Sequence, residues 1–122
     1  MEYKIGEVEL RFSEIIWKNE PVASGDLAKI EAEELGWNKS TTYTVLKRLC
    51  DKGLFTNEKG TVSANISYDD FMAKQSEMVI EENFKGSLPG FVAAFCSKKK
   101  LSQAEIEELQ RIIQESQERL GE

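Results

Sequence analysis

Between Asn38 and Asp51 the chain reads NKSTTYTVLKRLCD, and its hydroxyls and cations recur at intervals that a helix gathers on one side. Advancing about 100° per residue puts Thr42, Val45, Leu46 and Leu49 together, with Ser40, Thr41, Thr44, Lys47, Arg48 and Asp51 opposite them. Hydroxyls beside cations suit the major groove of DNA. Ser and Thr can bond base edges, a Thr methyl can meet a thymine methyl, and Lys or Arg can take phosphate or guanine. Tyr43 lies at the flank of this face, within reach of a base or sugar-phosphate, and Lys39 falls in the first turn, where the helix terminus itself favours a phosphate. An ordinary solvated helix face can have the same composition. Charge distribution favours the first reading. From Trp37 to Lys59 five basic residues (Lys39, Lys47, Arg48, Lys52, Lys59) outnumber two acidic ones (Asp51, Glu58), a local +3 in a chain of net charge −6.

Other chemistries lack their parts. With no histidine among 122 residues there is no Ser-His-Asp or Cys-His catalysis and no Cys2His2 zinc site. Cys50 and Cys96 form neither a CxxC pair nor a disulfide framework, so a reducing compartment is the default. Each reads as a small apolar residue more readily than as a redox switch. The pairs Glu33-Glu34, Glu81-Glu82 and Glu107-Glu108 are sequence neighbours whose side chains splay about 100° apart on a helix, unlike a convergent acid-base pair. No catalytic, metal or cofactor motif is present, so no enzyme activity, metal or cofactor is expected. The opening MEYKIGEVEL has no apolar targeting core, and no stretch approaches the roughly 18 apolar residues of a membrane span, so a cytoplasmic protein without membrane insertion is expected.

The elements that must position the third helix are legible from periodicity. Ile5, Val8, Phe12, Ile15 and Ile16 step by threes and fours, one face of a first helix that Pro21 ends. Ser24 is a suitable N-cap for a second helix carrying Leu27, Ile30 and Leu35, and Gly36 breaks it. Asn38 caps the third, which Gly53 terminates, leaving a tight turn between the second and third helices. Leu54 to Thr56 is then a short strand and Asn57 to Gly60 a turn. Val62, Ala64, Ile66 and Tyr68 alternate with polar residues in a second strand. Three helices and a hairpin make a winged helix-turn-helix over residues 1–68. Trp17 and Trp37, at a helix end and a helix entry, read as scaffold rather than as a ligand pocket.

Residues 69–122 read as helical. Ser67 with Asp70 opens one helix, through Phe71, Gln75, Met78, Val79 and Phe84 to Gly86; a short one covers Leu88 to Phe95. Ser102 and Glu105 form a capping box for the last, with Leu101 and Ile106 at the staple positions. Its stripe of Ile106, Leu109, Ile113 and Leu120 can cover a partner helix or its own domain. A chain this size buries only about two-thirds of its unfolded surface, which favours dimerisation. Lys98 to Lys100 read as a linker rather than a DNA contact. The fold class is therefore mainly α with a small β-hairpin: a winged helix and a C-terminal helical dimerisation domain.

From Gly6 to Leu120 the chain resembles the bacterial penicillinase repressors, the group that also holds the methicillin-resistance and copper-responsive repressors. The likeness runs through GEVELRFSEIIWK, WNKSTTYTVLKRLCDKGL, the short wing, FKGSLPGFVAAF and LSQAEIEEL. The tryptophan, the capped STTYTVLKRL helix and the KGL exit are its most specific parts. The resemblance implies a homodimeric transcriptional repressor on double-stranded, inverted-repeat operator DNA with TACA and TGTA half-sites. It places the base-reading positions on Ser40, Thr41, Tyr43 and Thr44. Phosphate contacts are expected from Lys39, Lys47, Arg48 and Lys59, and dimerisation from Phe71, Met78, Phe91, Phe95, Ile106, Leu109, Ile113 and Leu120.

Three features depart from the family pattern. Antibiotic-responsive members are cleaved at an Asn-Phe bond by a membrane sensor protease. The matching pair here is Ala94-Phe95, which leaves that protease open as a partner, and Asn83-Phe84 aligns elsewhere. The tail ESQERLGE has none of the cysteines of the copper-responsive members. The wing strand is poor in basic and aromatic residues, leaving Lys59 as its main phosphate contact. A rival reading is a winged-helix protein-interaction module without sequence-specific DNA binding.

Overall fold

The computed structural model describes residues 3–121 as two compact units, Met1–Met78 and Val79–Glu122 in chain terms. The first opens with α1 (Glu7–Asn19), β1 (Val22–Ala23), α2 (Ser24–Leu35) and α3 (Lys39–Asp51). The hairpin β2 (Phe55–Glu58) and β3 (Thr61–Ala64) follows, and then the first turns of α4 (Tyr68–Phe84). The second holds the end of α4, α5 (Leu88–Cys96) and α6 (Gln103–Arg119). This is the mainly helical winged-helix architecture with a helical C-terminal region.

Helix α1 buries Phe12, Ile15 and Ile16 as its periodicity requires. Val8, on the same expected stripe, is 56% exposed. Ser24 does not cap α2. The chain arrives extended through β1, Ser24 is already helical, and its N–H donates to the Gly60 carbonyl of the wing. Gly36, at φ 70, ends α2 in the left-handed region that a side chain would strain. Two residues later Asn38 accepts the Thr41 N–H at 2.8 Å and starts α3.

The sheet has three antiparallel strands in the order β1-β3-β2, one more than the hairpin expected from sequence. Val22 pairs with Val62 and Ala23 with Thr61, a two-residue edge too short to show alternation. Strand β2 extends to Glu58, so the turn is not Asn57 to Gly60 but the two residues Lys59 and Gly60, at φ 51 and 83. Two consecutive positive values make the tight loop whose twist matches a hairpin. Strand β3 stops at Ala64, short of Ile66 and Tyr68. Asn65 turns out to accept the Thr56 hydroxyl and to donate to the Gly53 carbonyl.

Phe12, Ile16, Leu27, Leu49, Leu54, Phe55, Val62 and Phe71 form the core of this unit. Trp17 joins its parts. Its ring lies 5.3 to 5.5 Å from those of Phe55, Tyr68 and Phe71, and its Nε1–H donates to the Ile66 carbonyl at 2.9 Å. Trp37 stacks on Phe12 at 5.2 Å, so the entry to α3 rests on α1. Phe71 is 1% exposed and packs beside Trp17 and Tyr3, which takes it out of the expected dimerisation set. For the same reason the first unit continues into α4 instead of closing at its start.

In the second unit α4 ends at Lys85 and Gly86, α5 begins at Ser87, which accepts the Gly90 N–H, and Ser102 and Glu105 exchange both bonds of the capping box. Phe84 meets Phe91 edge to face. Among the described residues none beyond Phe71 is buried, so this unit has apolar side chains without an enclosed core.

Candidate nucleic-acid interface

Helix α3 presents the two faces its sequence requires. Thr42, Val45, Leu46 and Leu49 are buried, and Ser40, Thr41, Thr44, Lys47 and Arg48 are exposed, with Tyr43 half-buried between them. The helix is fixed at its entry by Asn38 and the Trp37 stack and at its exit by Gly53. First-turn N–H groups that a cap leaves unbonded are free to bond an anion. Replacing Asn38 with alanine is expected to lower stability by about 1 kcal/mol, read by urea unfolding; no change would show the cap to be dispensable.

The hydroxyls are not equivalent. Thr44 Oγ1 donates to the Ser40 carbonyl at 2.9 Å, which commits its proton and leaves the oxygen as an acceptor. It therefore offers an acceptor, suited to an adenine or cytosine amino group, and an apolar contact for a thymine methyl.

The expected phosphate cations sit in different surroundings. Lys47 pairs with Asp51 at 3.3 Å, and Lys39 lies 5.9 Å over the Tyr43 ring. Arg48 faces the Glu9 carboxylate of α1 at 3.7 Å, and Lys52 reaches the same carboxylate at 3.6 Å while donating to the Lys4 carbonyl. Glu9 thus joins the start of α1 to the end of α3, a contact no local sequence signal announces. Among the described residues neither Lys39 nor Lys59, the latter at the wing tip, has an ion-pair partner. Burial pushes the Cys50 thiol up, away from the reactive thiolate.

Sequence reading also missed Glu31. It sits among the three glutamates of α2, yet its side chain is fully buried where Glu33 and Glu34 are exposed. Burial, with the Glu34 charge adding to it, raises its pKa from 4.5 to about 8.

Of the other expected dimerisation residues, Met78, Phe91 and Ile106 are half-buried in the protomer, whereas Phe95, Leu109, Ile113 and Leu120 are exposed. Phe91, Val92, Phe95, Leu101 and Leu109 line an open apolar groove of about 510 Å³ between α5 and α6, with Cys96 exposed at its side. Ala94 and Phe95 are both exposed on α5. Among the described residues no helix is long and apolar enough to cross a membrane.

A short three-stranded wing beside an anchored helix-turn-helix defines a winged-helix regulator with α3 as its outward face. The penicillinase repressor family description matches residues 5–115, and the chain belongs to that family of transcriptional repressors. It is 29% identical over 120 residues to the penicillinase repressor of Bacillus licheniformis, covering 95% of this chain and 94% of that one. It is also 29% identical over 115 residues to the methicillin resistance regulatory protein MecI of Staphylococcus aureus strain Mu50, covering 91% and 94% of the two chains. The MecI of Mammaliicoccus sciuri is 28% identical over the same length.

Proposed function

We propose that this chain is a homodimeric repressor that reads an inverted-repeat operator through α3. The observation that carries this reading is the rigidly held α3 face, with hydroxyls and cations outside and aliphatic residues beneath. Ser40, Thr41, Tyr43 and Thr44 read bases. Lys39, Lys47, Arg48 and Lys59 orient the head on phosphates, with Lys59 reaching from the wing tip. Bases in TACA and TGTA half-sites offer the amino groups and thymine methyls that the outward side of Thr44 suits. The exposed apolar residues of α5 and α6 join two protomers, so that two α3 helices enter successive major grooves about one helical turn apart.

A gel shift on the region upstream of its own gene, against a scrambled duplex of equal length, tests the reading. A discrete complex on the native duplex alone is expected. Equal, salt-labile binding to both would reduce α3 to a weak basic patch, and salt-insensitive binding to a protein would favour an interaction module. Within the complex, Lys59→Ala is expected to weaken all duplexes and reduce the salt slope by about 0.9 per protomer, whereas Thr44→Val relaxes base preference. Identical effects of the two substitutions would refute this division of labour.

A further inference from the structure

Glu31 is 0% exposed, and among the described residues neither carboxylate oxygen has a hydrogen-bond partner. On α3 the Thr42 hydroxyl is buried without a partner as well. A carboxylate shut off from bulk solvent and without a donor to bond it is disfavoured, so the neutral acid is the form that the folded head accommodates. The groups on the neighbouring elements supply no compensation. The buried residues of α3 are Thr42, Val45, Leu46 and Leu49, none of them charged, and β1 contributes only Val22 and Ala23. From α1, Arg11, Glu14 and Lys18 stand in an open cleft shared with Glu34 and Leu35, where water screens them. The charge that does act on Glu31 is that of Glu34, which opposes ionisation further.

We propose that Glu31 makes the reading head proton-linked: α2 packs on α3 in its DNA-binding arrangement with this carboxyl neutral, and ionisation loosens that packing and lowers operator affinity. This rests on α3 being the DNA-reading helix. The direction follows from linkage. The unfolded or loosened chain releases the proton near pH 4.5 and the packed head only near 8. Stability from this site is therefore full below the lower value, falls as pH rises between the two, and levels off above the upper one. Within that window the equilibrium between packed and loosened forms shifts by up to about tenfold per pH unit.

The experiment uses the full chain as wild type, Glu31→Gln and Glu31→Leu. Urea unfolding by tryptophan fluorescence and binding of the upstream duplex are measured at constant ionic strength from pH 5.5 to 9. The wild-type unfolding constant is expected to rise about a hundredfold more than that of either variant between pH 5.5 and 8. Operator affinity of the wild type is expected to fall from pH 7 to 9, by at most about tenfold, with both variants nearly flat. Parallel profiles for all three proteins in either measurement overturn the switch. Failure of every protein to prefer the upstream duplex at any pH overturns the operator-reading function instead, and the unfolding profiles then decide proton linkage by themselves.

Discussion

Replacing Trp17 with alanine is expected to lower the unfolding free energy by about 3 kcal/mol or more, the usual cost of removing a large aromatic side chain from a packed site. The Trp17 ring meets Phe55 of the sheet together with Tyr68 and Phe71 of α4, while its indole N–H satisfies the Ile66 carbonyl between them. Truncation leaves a cavity at the meeting point of three elements and an unpaired carbonyl. Trp17→Phe keeps most of the ring contact and loses the hydrogen bond, so its expected cost is smaller, about 1 to 2 kcal/mol. Since the chain has two tryptophans, Trp37 remains as the fluorescence reporter in both variants during urea unfolding. Total stability of a domain this small is about 5 to 15 kcal/mol, so the alanine variant approaches the unfolding threshold at physiological temperature. A loss below 1 kcal/mol for Trp17→Ala would show that the sheet and α4 are held together by other contacts.

The second large effect concerns the apolar surface of the C-terminal unit. Leu109 is 40% exposed and Ile113 is 65% exposed in the protomer, so carboxylates at these positions remain in water if the protein is a monomer. In a dimer sealed by this surface the same carboxylates are desolvated against apolar side chains. The double variant Leu109→Glu with Ile113→Glu is therefore expected to sediment as a monomer at micromolar concentration, with helix content retained in circular dichroism. Operator affinity then falls by roughly 10² to 10⁴, because the second head no longer benefits from the effective concentration that the dimer provides. Unchanged mass and unchanged affinity would remove the dimer from the proposed mechanism. Retained mass with lost affinity would place the effect elsewhere than in dimerisation.

Much of this protein is legible without a structure because its signals act over three or four residues. Asn38 and Ser102 cap the helices they precede, and Ser67 meets Asp70 at the start of α4. Each contact needs only the local chain, which is why residue type and spacing suffice. The division of α3 into a buried aliphatic side and an exposed hydroxyl and cation side has the same origin, since a helix of known pitch admits one arrangement. The outward hydroxyl and cation face therefore follows from the chain itself, whereas the choice of Ser40, Thr41, Tyr43 and Thr44 as base readers is what the family resemblance implies.

What the tertiary structure decided depends on residues distant in sequence. Strand β1 exists because Val22 and Ala23 find Val62 and Thr61 across some forty positions, and two residues by themselves have no period to read. That pairing makes Ser24 a helical residue rather than a cap. Phe71 belongs to the core because Trp17 and Tyr3 come to it, although it is among the expected dimerisation residues. Glu9 becomes an ion-pair partner of Arg48 and Lys52 only when α1 is laid beside the end of α3. Glu31 stands four residues after Leu27 and four before Leu35, so helix spacing already puts it on the apolar side of α2, and packing then encloses it while Glu33 and Glu34 stay exposed. Periodicity reports which residues share a face of an element; the identity of whatever covers that face is a non-local fact, settled when the elements close on one another and exclude water.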